Sequence, residues 1–400
     1  HSHPAQCGRH RRCFPQQLTM ASTTITARRL ITDFDSVDFP VLTVGSDGTI
    51  LEIGSDPKTL ANAEDTLTAA FLDVHTHGAM GYDVMTASPS ELSELQQFLA
   101  KHGVAHYLPT TVTASIDDTL HALEALAGAI ESEPHDKEAK PIGIHLEGPF
   151  LSHLKRGVHP AAKLQQPSIE LFDRFQKAAR GHISLMTIAP ELPGAIELIQ
   201  HAATQGVKLS LGHSNATAAE SLAGIAAGAT SATHTFNAMR ALDHREPGIA
   251  GTVLTEDGLF AELICDGIHV APAMVRLWLK AKGPERAILI TDAMAATGMP
   301  EGEYTLAGLP VTVADGRAVL SSNSDTLAGS VLTMDRAVAN LQHFTNTVLA
   351  SAARLASCNP AKMLGKPELA RVAVGSHANL NRFNGADRLI ETIVRGHKVH

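Results

Sequence analysis

With 400 residues, 44% of them hydrophobic, the chain is long enough for one large α/β domain plus a smaller partner. Its formal net charge of −9, without a long basic run, argues against a nucleic-acid-binding role but leaves room for a small anionic ligand held by a few placed cations. No apolar run is long enough to cross a membrane, and the four cysteines (Cys7, Cys13, Cys265 and Cys358) form no Cys-x-x-Cys pair, which speaks against a thiolate zinc site and for a reducing, cytoplasmic compartment.

Residues 1–19 are polar and basic and lack the apolar stretch of a secretory signal. They read as a disordered, expression-derived or over-translated tail, with Met20 as the natural start. Residues 20–68 hold short β-type runs: Thr24–Ile31, Phe39–Val44 and Thr49–Ile53. Ser46-Asp47-Gly48 joins the last two, and Asp-Gly between apolar runs signals a hairpin. These strands are too few for a stable sheet by themselves. The other end of the chain offers partners in Ala370–Val374, Ala378–Phe383 and Glu391–Val399. The expectation is one small β-sandwich domain built from both chain ends, 20–68 and 367–400.

Between them, over 69–366, short apolar runs alternate with helical patterns. The runs are Ala69–Val74, Ala105–Thr110, Ile142–Leu146, Ile183–Ile188, Val207–Leu211, Ser231–Thr233, Phe260–Ile264 and Ala287–Ile290. Helical segments such as Ser90–Lys101, Ile116–Ser132, Ile169–Ala179, Gly194–Gln205, Ala216–Ala227 and Pro272–Ala281 connect them. Eight such units predict a closed (β/α)₈ TIM-type barrel. The alternative, an open doubly wound sheet, lacks its usual Gly-x-Gly-x-x-Gly turn here.

A barrel carries its chemistry at the C-terminal ends of the strands. The first run ends in His75 and His77, which share one side of a strand because its side-chain period is two. The third ends in His145-Leu146-Glu147, the fifth in Gly212-His213, the sixth in Thr233-His234 and the eighth in Thr291-Asp292. Any one of these is an ordinary polar strand end; together they point to a metal site. Nitrogen and carboxylate ligands without cysteine suit zinc, and also iron, manganese or cobalt. Glu147, His213 and His234 make a three-ligand site with one position open, as catalysis requires. His75 and His77 could hold a second ion with Glu147 bridging, so one or two divalent metals are expected. Asp292 follows a run expected to be buried. It is either the partner of a neighbouring histidine or, as we favour, a general base that takes a proton from water and passes it to the leaving group. His145, two residues before Glu147 and so on the same side, reads as a runner-up ligand or, as we favour, a supporting or core histidine beneath the site.

These motifs, taken together, resemble the metal-dependent amidohydrolases and, within them, the N-acetylglucosamine-6-phosphate deacetylase family. The resemblance runs from about Val41 to about Val394. It rests on Asp73-Val-His-Thr-His-Gly78, His145-Leu-Glu-Gly-Pro-Phe150, Leu211-Gly-His-Ser-Asn-Ala216 and Thr233-His-Thr-Phe-Asn-Ala-Met239. Arg245-Glu-Pro-Gly248, Asp266-Gly-Ile-His-Val270, Thr291-Asp-Ala-Met294 and Thr326-Leu-Ala-Gly-Ser330 complete the set. The resemblance implies hydrolysis of the acetamide of N-acetylglucosamine 6-phosphate to glucosamine 6-phosphate and acetate, with metal on Glu147, His213 and His234 and Asp292 as acid/base. It implies sugar contacts from Val158, His159, Asn237, Ala238 and the backbone around Leu327, Ala328 and Gly329. Arg245 and His269 would bind the phosphate or the far end of the sugar. A homodimer is implied too, with phosphate contacts shared across its interface. Without the resemblance, Arg245, Lys155 and Arg156 read as surface charges, and His269 reads equally as a neutral loop histidine or as one that the Asp266-Gly267 turn aims at the site. A rival reading is an amidohydrolase acting on a cyclic amide or heterocycle, many of which use a bridging lysine. No lysine stands at the end of the fourth run, Ile188-Ala-Pro-Glu191. A non-catalytic barrel would be expected to have lost Asp292 or a ligand, and none is missing.

Overall fold

A computed structural model describes residues 22–33, 35–59, 64–133 and 135–399. The tail expected over 1–19, and Met20, lie outside the described residues. The barrel strands are β1 (Phe71–Thr76), β2 (Val104–Thr111), β3 (Ile144–Glu147), β4 (Ile183–Ile188), β5 (Lys208–Leu211), β6 (Ala229–Ala232), β7 (Phe260–Ile264) and β8 (Ala287–Ile290). They pair in parallel in chain order. One helix follows each: α1 (Pro89–Lys101), α2 (Ile116–Glu131), α3 (Ile169–Ala178), α4 (Ala195–Thr204), α5 (Ala218–Ala227), α6 (Gly248–Thr255), α7 (Pro272–Lys282) and α8 (Met334–Thr345). Every residue of β1, β3 and β8 is buried, as expected of strands with packed side chains on both faces. The helices are pinned locally. Ser88 caps α1 in a reciprocal pair with Glu91, Thr217 caps α5 in the same way with Glu220, and each such cap is worth about 1 kcal/mol. The apolar stripe of α1, Leu92, Leu95 and Leu99, faces inward.

No ladder joins β8 to β1. The seam closes instead between the end of β1 and the residues that follow β8. Thr76 and Ala293 form an isolated parallel bridge, the Asp292 amide donates to the His75 carbonyl at 2.9 Å, and the His77 amide donates to the Ala293 carbonyl at 2.7 Å. Beneath them the Thr291 hydroxyl donates to fully buried Asp73 at 2.5 Å. The barrel is thus nearly closed, and its last closure is made of site residues.

Both ends of the chain contribute to a six-stranded sheet. Thr66–Ala69 pairs with Leu380–Phe383, and Arg29–Ile31, Ser36–Asp38, Leu389–Val394 and His397–Lys398 extend the sheet on either side. A three-stranded sheet of Thr23–Thr26, Pro40–Val44 and Ile50–Ser55 accompanies it and contains the hairpin expected at Asp47-Gly48. The strand expected at Ala370–Val374 is absent. Pro367 opens a 3₁₀ turn, Pro367–Ala370, His377 makes only an isolated bridge to Thr49, and the next strand begins at Leu380.

One element has no counterpart among the sequence-based expectations. After β8, four antiparallel strands (Gly302–Leu306, Leu309–Ala314, Arg317–Leu320 and Asn323–Leu327) form a separate sheet. Leu306, Val311, Val313 and Ala318 from this sheet pack with Val112, Val158, Met294, Ala296 and Ala328 into an apolar cluster distinct from the main core.

Candidate active site

Three strands end alike. His213, His234 and Asp292 each stand two residues beyond β5, β6 and β8, and each has a left-handed backbone, with φ of 45°, 28° and 51°. Non-glycine residues occupy that region at a cost of about 1–3 kcal/mol. The repeated turn delivers all three side chains to one place at the mouth of the barrel, where they meet Glu147 at the end of β3 and His75 and His77 on and just beyond β1.

Glu147 is the hub. Its Oε1 lies 3.5 Å from His75 Nε2, 3.3 Å from His213 Nε2 and 3.2 Å from His234 Nε2; its Oε2 lies 3.3 Å from His77 Nε2 and 3.7 Å from His159 Nε2. Asp292 Oδ1 sits 3.3 Å from His75 Nε2 and 3.1 Å from His77 Nε2.

The outer ring nitrogens fix the tautomers. His77 Nδ1 faces the Thr110 carbonyl at 3.0 Å and His213 Nδ1 faces the Lys155 carbonyl at 2.9 Å. His75 Nδ1 faces a carboxylate oxygen of fully buried Glu262 at 3.3 Å. These partners accept, so Nδ1 carries the proton and Nε2 presents a lone pair inward. Two such Nε2 atoms face each other, His75 and His77 at 3.3 Å, and the Nε2 of His213 lies 3.0 Å from that of His234, whose buried Nδ1 has no hydrogen-bond partner. Buried Glu147 Oε1 has no hydrogen-bond partner. Lone pairs converging on one another and on carboxylates repel unless a cation lies between them, so the donor set fits a divalent metal. Two groups of ligand atoms fall within 4.8 Å: His75, His77 and Glu147 on one flank, and Glu147, His159 and His213 on the other.

The electrostatics agree. Burial disfavours a charged His77, yet the adjacent Asp292 and Glu147 carboxylates raise its pKa to about 9. Burial likewise opposes ionisation of Asp292, but His75 and His77 hold its carboxyl well below the usual carboxylate range. Without a cation the cluster draws in protons, and a bound cation would take their place.

His159 differs from the other rings. Its Nδ1 accepts from the Thr113 amide at 3.2 Å and lies 2.8 Å from the Thr113 hydroxyl. The proton therefore sits on Nε2, facing the site. Burial, followed by His213, lowers its pKa to about 4, so the ring is a neutral donor.

A cavity of about 350 Å³ opens onto the cluster. His77, Glu147, His213, His234 and Asp292 line its floor; Val158, His159, Asn237, Ala238, His269, Leu327 and Gly329 line its walls. Ala328 is fully buried behind them. Arg245 is exposed on the loop before α6 and is not part of the cavity wall. Lys155, which read as a surface charge, lines the cavity and supplies the carbonyl that orients His213. His145 is fully buried beneath the cluster, its Nε2 2.7 Å from the Thr187 hydroxyl.

Two supporting residues had not been singled out. Glu262 touches His75 Nδ1 and also accepts from the His234 amide at 3.3 Å, so it braces both flanks. Its signal was a lone carboxylate inside the apolar run Phe260-Ala-Glu-Leu-Ile264. Asp266 takes His269 Nδ1 at 2.6 Å and accepts from the amides of Ile268 and His269 at 2.8 Å each. Its signal was the short Asp-Gly-Ile-His spacing.

A sequence model of the amidohydrolase family matches residues 66–399. The chain belongs to the amidohydrolase family. Members of this family are metal-dependent, in keeping with the donor cluster. An N-acetylgalactosamine-6-phosphate deacetylase of Escherichia coli O157:H7 is 38% identical over 85% of this chain and 89% of its own length. An N-acetylglucosamine-6-phosphate deacetylase of Bacillus subtilis is 38% identical over 84% of this chain and 85% of its own. Among solved amidohydrolase structures, an N-acetyl-D-glucosamine-6-phosphate deacetylase variant of Mycobacterium smegmatis, in complex with N-acetyl-D-glucosamine-6-phosphate, superposes with a TM-score of 0.88 at 34% identity. That match covers 95% of this chain and 99% of the other.

Proposed function

We propose that this amidohydrolase removes the acetyl group from N-acetylglucosamine 6-phosphate, giving glucosamine 6-phosphate and acetate. The observation that carries the reading is one cavity holding a metal-type donor cluster, a carboxylate kept ionised beside it and a neutral histidine donor facing inward. The named relatives point to the same substrate class. Glu147, His213 and His234 would hold the metal, zinc before iron, manganese or cobalt, and His75 and His77 would hold a second ion beside it. Such an ion, when bound, lowers the pKa of water and polarises a carbonyl.

The chain's own groups do the rest. Asp292 accepts a proton from the attacking water and returns it to the departing amine. His159 Nε2–H donates to the carbonyl oxygen as charge builds there. Asn237, Ala238, Val158 and the Leu327–Gly329 backbone hold the sugar. Asp266 fixes His269 with its Nε2 free for the phosphate. Exposed Arg245 offers a charged fork that reaches the phosphate from a second copy in a cytoplasmic homodimer.

The test is acetate release by metal-stripped and metal-reloaded protein from N-acetylglucosamine 6-phosphate, its galacto epimer and unphosphorylated N-acetylglucosamine. Metal-dependent release from the first, well above the third, is expected. The galacto epimer is included because one of the relatives acts on it by name; preference for that compound would reassign the sugar. No release from either phosphorylated sugar after reloading sinks the reading. Arg245→Ala should raise KM for the phosphorylated sugar alone; equal loss with the unphosphorylated sugar would remove Arg245 from the phosphate site.

A further inference from the structure

The cavity has two unlike sides. His213, His234, Asn237 and His269 make one side polar. Val112, Val158 and Leu306 form an apolar patch on the other and belong to the cluster around the inserted sheet, whose last strand also brings Asp325 and Thr326 to the lining. The apolar side abuts the reacting end. Val112 lies two residues beyond Thr110, whose carbonyl holds His77, and Val158 directly precedes His159, 3.7 Å from Glu147. Met294, in the same cluster, lies two residues beyond Asp292.

Behind this wall is a second cavity of about 440 Å³, lined by Met85 and Ala307 together with Asp83, Asp118, His121 and Lys163. The partition is thin. Val112 faces the first cavity, and its amide approaches Met85 Sδ at 3.2 Å, while Met85 faces the second cavity. Leu306 faces the first cavity and its chain neighbour Ala307 the second.

We infer that Met85 and Leu306 are specificity-determining residues: they form the partition that limits the acyl group removed to about the size of acetyl. The inference rests on the deacetylase reading. In that substrate the acetyl methyl is the one apolar group bonded to the reacting carbon. It must therefore lie at the cluster end of the cavity, and the apolar wall is the surface there that matches it. The hydroxyls and phosphate require the polar side. An extra methylene on the acyl chain runs into the partition, and a hydrophobic pocket discriminates such a step by roughly 10–200-fold. Removing a partition side chain joins the cavities and gives the longer chain somewhere to go.

The experiment compares kcat/KM for the N-acetyl, N-propionyl and N-butyryl derivatives of glucosamine 6-phosphate in the native chain, Met85→Ala and Leu306→Ala. The native chain should lose roughly 10-fold or more per added methylene. Each variant should raise its butyryl-to-acetyl ratio by roughly 10-fold or more over the native ratio. Leu320→Ala is the control: Leu320 packs on the same cluster without lining either cavity, so the ratio should hold while the melting temperature falls. Leu306→Val makes the same test with a smaller step if Leu306→Ala does not fold. An unchanged ratio in the folded partition variants overturns the inference, as does an equal rise in Leu320→Ala. Failure of the native chain on all three substrates would instead overturn the deacetylase reading, so the two failures are distinguishable.

Discussion

On one side of Glu147, His75 and His77 stand on and beside a barrel strand; on the other, His213 and His234 stand two residues past theirs, on left-handed turns. The first pair is braced from the barrel interior by Glu262 and the Thr110 carbonyl. His213 depends instead on a carbonyl from the loop after β3, and Gly157 of that loop packs against its ring. The same loop carries Val158 and His159. Metal-type donors on the inner flank are therefore set by the strands, while those on the outer flank are set partly by a loop that also lines the cavity. Loop position and ligand geometry can change together only on the outer side.

Four substitutions probe this contrast. Asp292→Asn should leave metal content per chain unchanged and lower kcat by about 10²–10⁴-fold, the range for losing a general acid/base. Near-native turnover would mean that Asp292 only braces His75 and His77. Glu147→Gln touches both flanks and should lower metal content on both, read by elemental analysis; loss of one ion from a two-ion protein would show that Glu147 does not bridge. Glu262→Gln should weaken metal affinity by about 10–100-fold while the chain stays folded, because it loosens the histidines without removing one. Gly157→Ala should have the smallest effect and be confined to the outer flank. The added Cβ would stand 3.2 Å from His213 Cε1 at a residue with φ of 56°. A left-handed alanine costs about 1–2 kcal/mol. The readouts are a lower melting temperature and a rise in KM larger than the fall in kcat.

The barrel was legible because its signal is redundant: each strand shows an apolar run, and five of the eight show a histidine or carboxylate where they stop. His75, Glu147, His213, His234 and Asp292 could be found from that position alone. Glu262 was hidden because a single carboxylate within an apolar strand carries no spacing, and its partners are 187 and 28 residues away. The left-handed turns were not legible either, since histidine and aspartate do not announce a positive φ as glycine does. The inserted sheet lies where the eight-unit pattern had already been filled, so its alternation competed with a complete count. Ala370–Val374 failed as a strand because turns crowd it from both ends, Pro367–Ala370 before it and Ala373–Ser376, with Gly375 at a φ of 89°, after it. Arg245 could be assigned a charge from sequence, but only the fold puts it outside its own chain's cavity.

The seam between β8 and β1 bears on synthesis as well as on shape. A growing chain emits His75, His77, Glu147, His213 and His234 before it reaches Asp292, so the candidate ligands all precede the acid/base candidate. That carboxylate comes to rest only when its amide meets the His75 carbonyl and Thr291 meets Asp73, contacts that join the first barrel strand to the last. A partly assembled barrel could gather a metal, yet it would not position the carboxylate proposed to move the proton. Competence for chemistry would then report that the ring has closed.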